Sequence, residues 1–89
     1  MTVRTLTVTN ALGLHARAAA RFVHAANGFR SRVTLSRDGR TMDGKSILGI
    51  LLLAASQGTP LTLGADGEDE GAAVDALAAL VESGFGEDA

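Results

Sequence analysis

The sequence contains no cysteine, tryptophan or tyrosine, and only one proline and three phenylalanines among its 89 residues. The absence of cysteine excludes disulfide bonds and thiolate metal sites, so the core must be stable through packing alone, and no metal or cofactor is expected. The shortage of aromatic rings leaves few side chains on which RNA bases can stack, which argues against an RNA-binding module and against a nucleic-acid partner.

The sequence also lacks any long hydrophobic run. The longest apolar segment, residues 47–55, is far shorter than the roughly 20 residues that a membrane-spanning helix requires. The first residues do not combine a basic stretch with a following apolar one, as a secretory signal does. We therefore expect a cytoplasmic chain without membrane insertion.

Basic residues are absent from the second half of the chain. All eight lysines and arginines, with two acids, lie in the first 45 residues, whereas the last 44 contain eight acids. A chain of this length encloses one core, so we expect a single domain over residues 1–89 that acts as a monomer. If folding keeps the two halves apart, the basic half will attract acidic partners or phosphate groups; the alternative is a mixed surface.

Residue periodicity predicts the element order β-α-β-β-α-β-α. The predicted segments are a strand over 2–9, a helix over 16–27, a hairpin over 32–42, a helix from Ser46 toward Gly58, a strand over 61–65 and a helix through 74–81. Asp38-Gly39 favours a two-residue hairpin turn because both positions tolerate positive φ. We predict an α+β, two-layer open-faced sandwich: a four-stranded antiparallel sheet with three helices on one face.

His15 stands directly before the first predicted helix. The first N–H groups of that helix, on Ala16, Arg17 and Ala18, have no intrahelical partner and lie at the positive end of the helix dipole, so they favour a phosphate group. A neutral imidazole has a nucleophilic nitrogen that can accept a phosphoryl group and later release it. The Arg17 guanidinium suits phosphate oxygens. We therefore predict a phosphate-handling site at His15.

Other residues near His15 fit a phosphate site. Gly13 suits a positive φ and a position where a Cβ would crowd the ligand. The less specific alternative is a histidine that only caps the helix, next to a solvated arginine. Arg21 and His24 share the polar helix face with Arg17, where they are expected to be solvated or to contact a partner.

Ser46 is expected to cap the second helix, since its hydroxyl can accept from the first N–H groups. Six of the seven residues 47–53 are apolar, which is more than one buried stripe requires. If Ile50 and Leu53 are buried, three of the remaining apolar residues form an exposed docking patch beside Ser46. The residues assigned to this patch are Ile47, Leu48 and Leu51. A phosphate on Ser46 would place negative charge beside that apolar patch.

Two segments carry a resemblance to a known family. "GLHARAAARFV" at 13–23 resembles the active-site signature of the HPr family, the histidine phosphocarriers of the sugar phosphotransferase system. "GKSILGI" at 44–50 resembles the second signature of the family, which surrounds a regulatory serine. The element order matches the family over essentially the whole chain. Where the family usually has proline after the arginine, this chain has Ala18, which keeps the helix and adds one N–H donor.

The resemblance implies a role for each matching residue. His15 is then the phosphorylated nucleophile, Arg17 its phosphate partner and Ser46 a regulatory phosphorylation site. The implied partners are enzyme I as phosphoryl donor and sugar-specific enzyme IIA as acceptor, together with a serine kinase/phosphorylase and a transcriptional regulator. The chain would be a stoichiometric carrier and not an enzyme with its own turnover.

Other protein classes share parts of the pattern. A carrier with a phosphopantetheine arm also has a serine that opens an apolar helix, but such carriers are normally all-helical and acidic throughout. The Asp38-Gly39 hairpin signal and the basic first half argue against that class. A plain interaction domain is a further alternative that the two phosphate-type sites make less economical.

Overall fold

The computed structural model describes residues 1–87 of the chain. The element order is the predicted β-α-β-β-α-β-α, followed by one short 3-10 turn. The elements are β1 (Thr2–Thr7), α1 (Ala16–Ala26), β2 (Arg32–Arg37), β3 (Arg40–Asp43), α2 (Ile47–Leu52), β4 (Pro60–Asp66), α3 (Glu70–Glu82) and the 3-10 turn Gly84–Gly86.

The four strands form one antiparallel sheet in the order β1-β4-β2-β3. Leu6 pairs with Leu61 and Leu35 pairs with Leu63 across the strands, and all four side chains are buried. Because alternate residues of a strand point to opposite faces, these leucines make one face apolar, and the helices cover it. The α+β open-faced sandwich is therefore confirmed, and the sheet excludes the all-helical carrier class.

The local turn and the helix ends follow the sequence signals in most places. Asp38 and Gly39 both have positive φ, 49° and 79°, as a two-residue hairpin requires. The second helix ends at Leu52, whereas the sequence predicted a helix that could extend toward Gly58. The φ of Ala54 is 50°, which is not helical, and the Arg37 guanidinium donates to the carbonyl oxygens of Leu53 and Ala54 at 2.9 and 2.8 Å.

The first strand is also shorter than the predicted 2–9. Its regular pairing with β4 stops at Thr7, which pairs with Pro60, the first residue of β4. Val8 continues the contact irregularly: its N–H donates to the Thr59 carbonyl at 3.0 Å, and its carbonyl accepts from the Gly58 N–H at 2.8 Å. The chain beyond Val8 then turns toward the start of α1.

Folding partly mixes the basic and acidic halves of the chain. Arg4 of β1 forms an ion pair with Asp75 of α3 at 2.7 Å, and Arg30 lies 3.7 Å from Glu68. Acids of the second half thus lie beside bases of the first, which favours the mixed-surface alternative at these positions. Among residues 1–87 there is no helix that combines the length and the apolar character needed to cross a membrane.

Candidate functional site

The start of α1 places His15 as its N-cap. The residue has an extended backbone (φ −78°, ψ 177°), and its Nδ1 atom accepts from the backbone N–H of Arg17 at 3.3 Å. Its carbonyl accepts the first intrahelical bond, from Ala19. About a quarter of the side chain is exposed, 26%. The imidazole therefore lies across the helix N-terminus with Nδ1 toward the free N–H groups, as the sequence predicts.

Gly13 sets the direction of the chain into this cap. Its φ is 65°, which is the left-handed conformation that glycine tolerates best. The space that a Cβ would need is occupied by the backbone carbonyl of Ala55, so the expectation that a Cβ would crowd the ligand is wrong. The close approach is needed because Leu14 donates its N–H to that same carbonyl at 2.9 Å. Gly13 thus packs the cap against the loop after α2.

The other ring nitrogen of His15 faces an acid from the far end of the described chain. Nε2 lies 2.5 Å from Oε2 of Glu87, whose side chain is only 12% exposed. The second carboxylate oxygen of Glu87 accepts from the side-chain amide of Asn10 at 2.8 Å. Burial raises the pKa of the Glu87 carboxyl, but the hydrogen bonds from His15 and Asn10 outweigh it and leave the pKa below its ordinary value.

The 3-10 turn after α3 brings Glu87 to the site. Phe85 is buried in the core although its φ is 59°, and the glycines on both sides also have positive φ. Arg21 of α1 donates a hydrogen bond to the carbonyl oxygen of Phe85. The backbone N–H of Glu87 donates to Gly84 at 3.1 Å. The turn is therefore anchored in the core by the Phe85 side chain and to α1 by Arg21.

Asn10 connects the turn to the loop before α1. It is 3% exposed, and its amide nitrogen donates both to Glu87 and, at 2.8 Å, to the carbonyl of Gly13. Because both of these neighbours are acceptors, the amide orientation follows from the contacts. Asn10 thus fixes the position of the Glu87 carboxylate relative to His15.

The three phosphate-binding residues predicted beside His15 differ in access. Arg17 is exposed, and within residues 1–87 its guanidinium has no hydrogen bond or ion pair, so it is open to a ligand. Ala16 is exposed as well. Ala18 has no exposed surface, so its N–H is closed to a phosphate oxygen in this conformation. Of the two other residues on this helix face, His24 is exposed, while Arg21 is engaged with the turn at Phe85.

Ser46 caps α2 as predicted. Its hydroxyl oxygen accepts from the N–H of Gly49 at 3.0 Å, and its carbonyl accepts from Ile50 at 3.1 Å. The residue is half-buried. Lys45, directly before it, turns away and donates to the carbonyl of Phe29. The contacts of the serine hydroxyl are thus local to α2.

The apolar patch next to Ser46 differs in part from the expectation. Ile50 and Leu53 are buried, and Ile47 and Leu48 are 43% and 66% exposed, as predicted. Leu51 is only partly exposed because it packs against the core, so its assignment to the exposed patch needs correction. Leu52 of α2 (50%) and Leu12 before α1 (71%) lie outside the predicted set but are exposed. We use "apolar patch" below for Leu12, Ile47, Leu48 and Leu52.

Sequence reasoning did not find Glu87 or Asn10. Glu87 lies 72 positions from His15 along the chain, so no local pattern links the two residues. The one local signal was Gly84-Phe85-Gly86, an apolar residue between two glycines directly after a helix, which is typical of a turn anchored in the core. That signal predicts a turn but not what the turn contacts.

Comparisons with known proteins agree with this architecture. The family model PTS-HPr, described as the PTS HPr component phosphorylation site, matches residues 2–83, so Glu87 lies outside the matched range. The phosphocarrier protein HPr of Xylella fastidiosa strain Temecula1 is 55% identical over 83 residues, which is 93% of each chain. A crystal structure of HPr-C-His from Thermoanaerobacter tengcongensis is 44% identical, with a TM-score of 0.96 over 100% of both chains. The crystal structure of an HPr dimer from the same organism is 45% identical, with a TM-score of 0.78 over 98% of this chain and 100% of that one.

Proposed function

The chain belongs to the HPr family of phosphocarriers of the phosphotransferase system, and from this premise we propose that His15 accepts a phosphoryl group from enzyme I and passes it to sugar-specific enzyme IIA. The observation that carries the proposal is the orientation of the ring. Nδ1 accepts from the N–H of Arg17 at the start of α1, whereas Nε2 is occupied by Glu87. Nδ1 is thus the nitrogen with access to the anion-favouring end of the helix.

The transfer forms one bond and breaks one. The lone pair of Nδ1 attacks phosphorus, and the bond from phosphorus to the leaving atom of the donor breaks with its electron pair. The phosphoryl oxygens then lie near the helix N-terminus, where the Ala16 and Arg17 N–H groups and the exposed Arg17 guanidinium supply positive charge. Because the product is a phosphoramidate, the reverse attack by an acceptor group restores free His15.

This chemistry describes a carrier that is used stoichiometrically. Each phosphoryl group received occupies His15 until an acceptor removes it, so the chain has no turnover of its own. We propose the cytoplasm as its compartment, where enzyme I and enzyme IIA would meet it. We also propose a monomer as the working form, because the helices and the sheet enclose a hydrophobic core within the chain.

We propose the apolar patch, with Arg17 and His24, as the surface that docks both partner enzymes. Its members lie on α2, on the loop before His15 and on the exposed face of α1, and α1 packs against α2. Exposed leucines and isoleucine beside cations suit a partner surface with an apolar centre and acidic rim. Arg21, which the sequence also assigned to docking, contributes less because it holds Phe85.

We propose Ser46 as a regulatory phosphorylation site, modified by a serine kinase/phosphorylase and read by a transcriptional regulator. Its hydroxyl lies directly before Ile47 and Leu48 of the apolar patch. A phosphate there would add about −2 charge that must lose water when a partner covers the patch. Phosphorylation of Ser46 would therefore weaken docking without changing His15 itself.

Incubation of the chain with phosphoenolpyruvate and enzyme I, followed by intact-mass measurement, tests the proposal. We expect one added phosphoryl group that is lost in acid, because a phosphoramidate is acid-labile. His24→Ala is the matched control: it should still end with one phosphoryl group, whereas His15→Ala should gain none. Phosphorylation of the His15→Ala chain by enzyme I would contradict the proposal.

A further inference from the structure

We propose that Glu87 is a positioning residue for this transfer: its carboxylate, itself held by Asn10, keeps the ring proton of His15 on Nε2, so that Nδ1 carries the lone pair that attacks the phosphoryl group in place of its hydrogen bond from Arg17. The inference rests on the proposed function, because positioning matters only if His15 is the acceptor. Glu87 acts through His15 and does not itself touch the phosphoryl group.

The two ring contacts require the same tautomer. A neutral imidazole carries one N–H, and an ionised carboxylate can only accept. The 2.5 Å contact of Nε2 with the Glu87 oxygen therefore needs the proton on Nε2. On the other side, the N–H of Arg17 points at Nδ1 at 3.3 Å, so Nδ1 must be the acceptor. The opposite tautomer would place two N–H groups face to face and a lone pair against the carboxylate.

The carboxylate is ionised and held in place. The hydrogen bonds from His15 and Asn10 keep the pKa of Glu87 below its ordinary value despite burial. Its side chain is 12% exposed, and its two oxygens have different fixed partners. Phe85, buried and bonded through its carbonyl to Arg21, fixes the backbone two residues earlier. A carboxylate held this firmly orients the ring as the second partner of a histidine commonly does.

The same contact assists the reaction step. When the Nδ1 lone pair becomes the new bond to phosphorus, the ring acquires positive charge and the Nε2 proton stays in place. The Glu87 carboxylate at 2.5 Å then forms an ion pair with the ring, so it stabilises the charge that develops during transfer. On transfer to the acceptor the electron pair returns to Nδ1 and the ring is neutral again, with its proton still on Nε2.

The tautomer can be measured without any donor. Ring 15N chemical shifts of the labelled full chain, recorded at a pH where the imidazole is neutral, report which nitrogen carries the proton. We expect the Nε2–H form in the wild type. Glu87→Gln keeps the shape of the side chain, but its amide can donate to Nε2, so the Nδ1–H form should increase. Glu82, at the end of α3, is exposed. Glu82→Gln makes the same charge change there and should leave the tautomer of the His15 ring unchanged.

Transfer from enzyme I gives the second readout. Glu87→Gln should lower the rate constant at saturation about 10- to 100-fold, the usual effect of losing a partner that orients a functional histidine. KM should stay within about twofold, because the apolar patch is untouched. Asn10→Ala keeps the carboxylate but loosens it, so it should shift both readouts in the same direction by a smaller amount. Melting temperatures of all variants separate this effect from loss of fold.

The two measurements separate failure of the role of Glu87 from failure of the proposed function. A wild type with the proton on Nδ1, or a Glu87→Gln chain with unchanged tautomer and unchanged saturating rate, overturns the inference. A rate that falls only in proportion to the fraction unfolded, with the tautomer unchanged, also overturns it and leaves Glu87 a structural clasp. A wild-type chain that enzyme I never phosphorylates overturns the proposed function instead.

Discussion

The starts of α1 and α2 are built on the same local plan. Each is preceded by an extended residue whose side chain accepts from a backbone N–H of the first turn: His15 from Arg17 and Ser46 from Gly49. The difference lies beyond the helix. The His15 ring also meets Glu87, 72 positions away, whereas the contacts of the Ser46 hydroxyl lie within its own helix.

A helix cap does not by itself define the chemistry of a site. Both caps satisfy N–H groups that would otherwise have no partner, and both lie at the positive end of a helix. What distinguishes them is the side chain and the distant group that orients it. The first cap has an imidazole whose second ring nitrogen meets a carboxylate, and the second has a hydroxyl with no base against it among the described contacts.

The largest expected effect comes from exchanging the nucleophile while keeping the cap. Serine is a better N-cap than histidine, so His15→Ser should retain α1 and the melting temperature within about 4 °C. Phosphorylation from phosphoenolpyruvate and enzyme I should disappear completely, because no imidazole remains. Calorimetry and intact mass measure the two effects. Phosphoryl transfer to the His15→Ser chain would show that the cap position, and not the imidazole, is what matters.

Loss of the cation beside the first cap should have the next largest effect. Arg17→Ala removes an exposed guanidinium that has no partner within residues 1–87, so stability should change by no more than about 0.5 kcal/mol. Transfer should slow about 100-fold, because charge on the phosphoryl oxygens loses its neutralising donor. Stopped-flow transfer and thermal unfolding test this, with Arg40→Ala, on the exposed hairpin, as the matched control. Equal transfer rates in the two variants would contradict the role of Arg17.

Charge at the second cap should affect docking and leave the fold intact. Ser46→Asp keeps a good N-cap, so stability should stay within about 1 kcal/mol, while affinity for enzyme I should fall about 10-fold. Ser46→Ala should do the reverse, because it loses a cap worth about 1 kcal/mol and adds no charge. Calorimetric titration and unfolding in one buffer compare the three chains. If the Ser46→Asp chain binds enzyme I as tightly as the wild type and only the Ser46→Ala chain loses stability, Ser46 acts only as a helix cap.

The start of α3 differs from the other two, because its acidic residue binds another segment of the chain. Asp69 precedes α3 but makes no cap bond to it; its carboxylate accepts from the N–H groups of Arg30 and Ser31 and from the Ser31 hydroxyl at 2.5 Å. These bonds, that of the hydroxyl foremost, lower its pKa from 3.8 to about 2. Because the pKa of Asp69 is lower in the folded chain than in the unfolded chain, the ionised carboxylate stabilises the fold at any pH above the unfolded-state pKa. This stabilisation is lost as the pH falls through the folded-state pKa.

Stability should therefore decrease as pH falls from about 4 toward about 2. Asp69→Asn should lower the melting temperature at neutral pH by about 5 °C and flatten the profile in that window. Asp75→Asn, an exposed carboxylate paired with Arg4, is the control and should do neither. Melting temperature against pH decides: a profile of Asp69→Asn parallel to that of the wild type would remove Asp69 as the cause.

The local parts of the fold were predictable because their causes are local. Asp38-Gly39 fixed the hairpin through its own backbone preferences, and Ser46 fixed the start of α2 through a bond to a residue three positions on. Leu51 shows the limit of this reasoning. Helical spacing divided α2 into two faces, but which leucine at the border is covered depends on how α2 lies against its neighbours.

The sequence by itself determined the element order, the two caps, the exposed cationic face of α1 and the positions of His15 and Ser46, because periods of two and 3.6 residues and capping bonds act over a few positions. The tertiary structure alone decided that Glu87 contacts His15, that Arg21 holds Phe85 and that Asp69 binds the loop before β2. Each of these contacts joins residues 38 or more positions apart. No local pattern encodes them, since they exist only after the sheet and helices have packed and brought distant segments of the chain together.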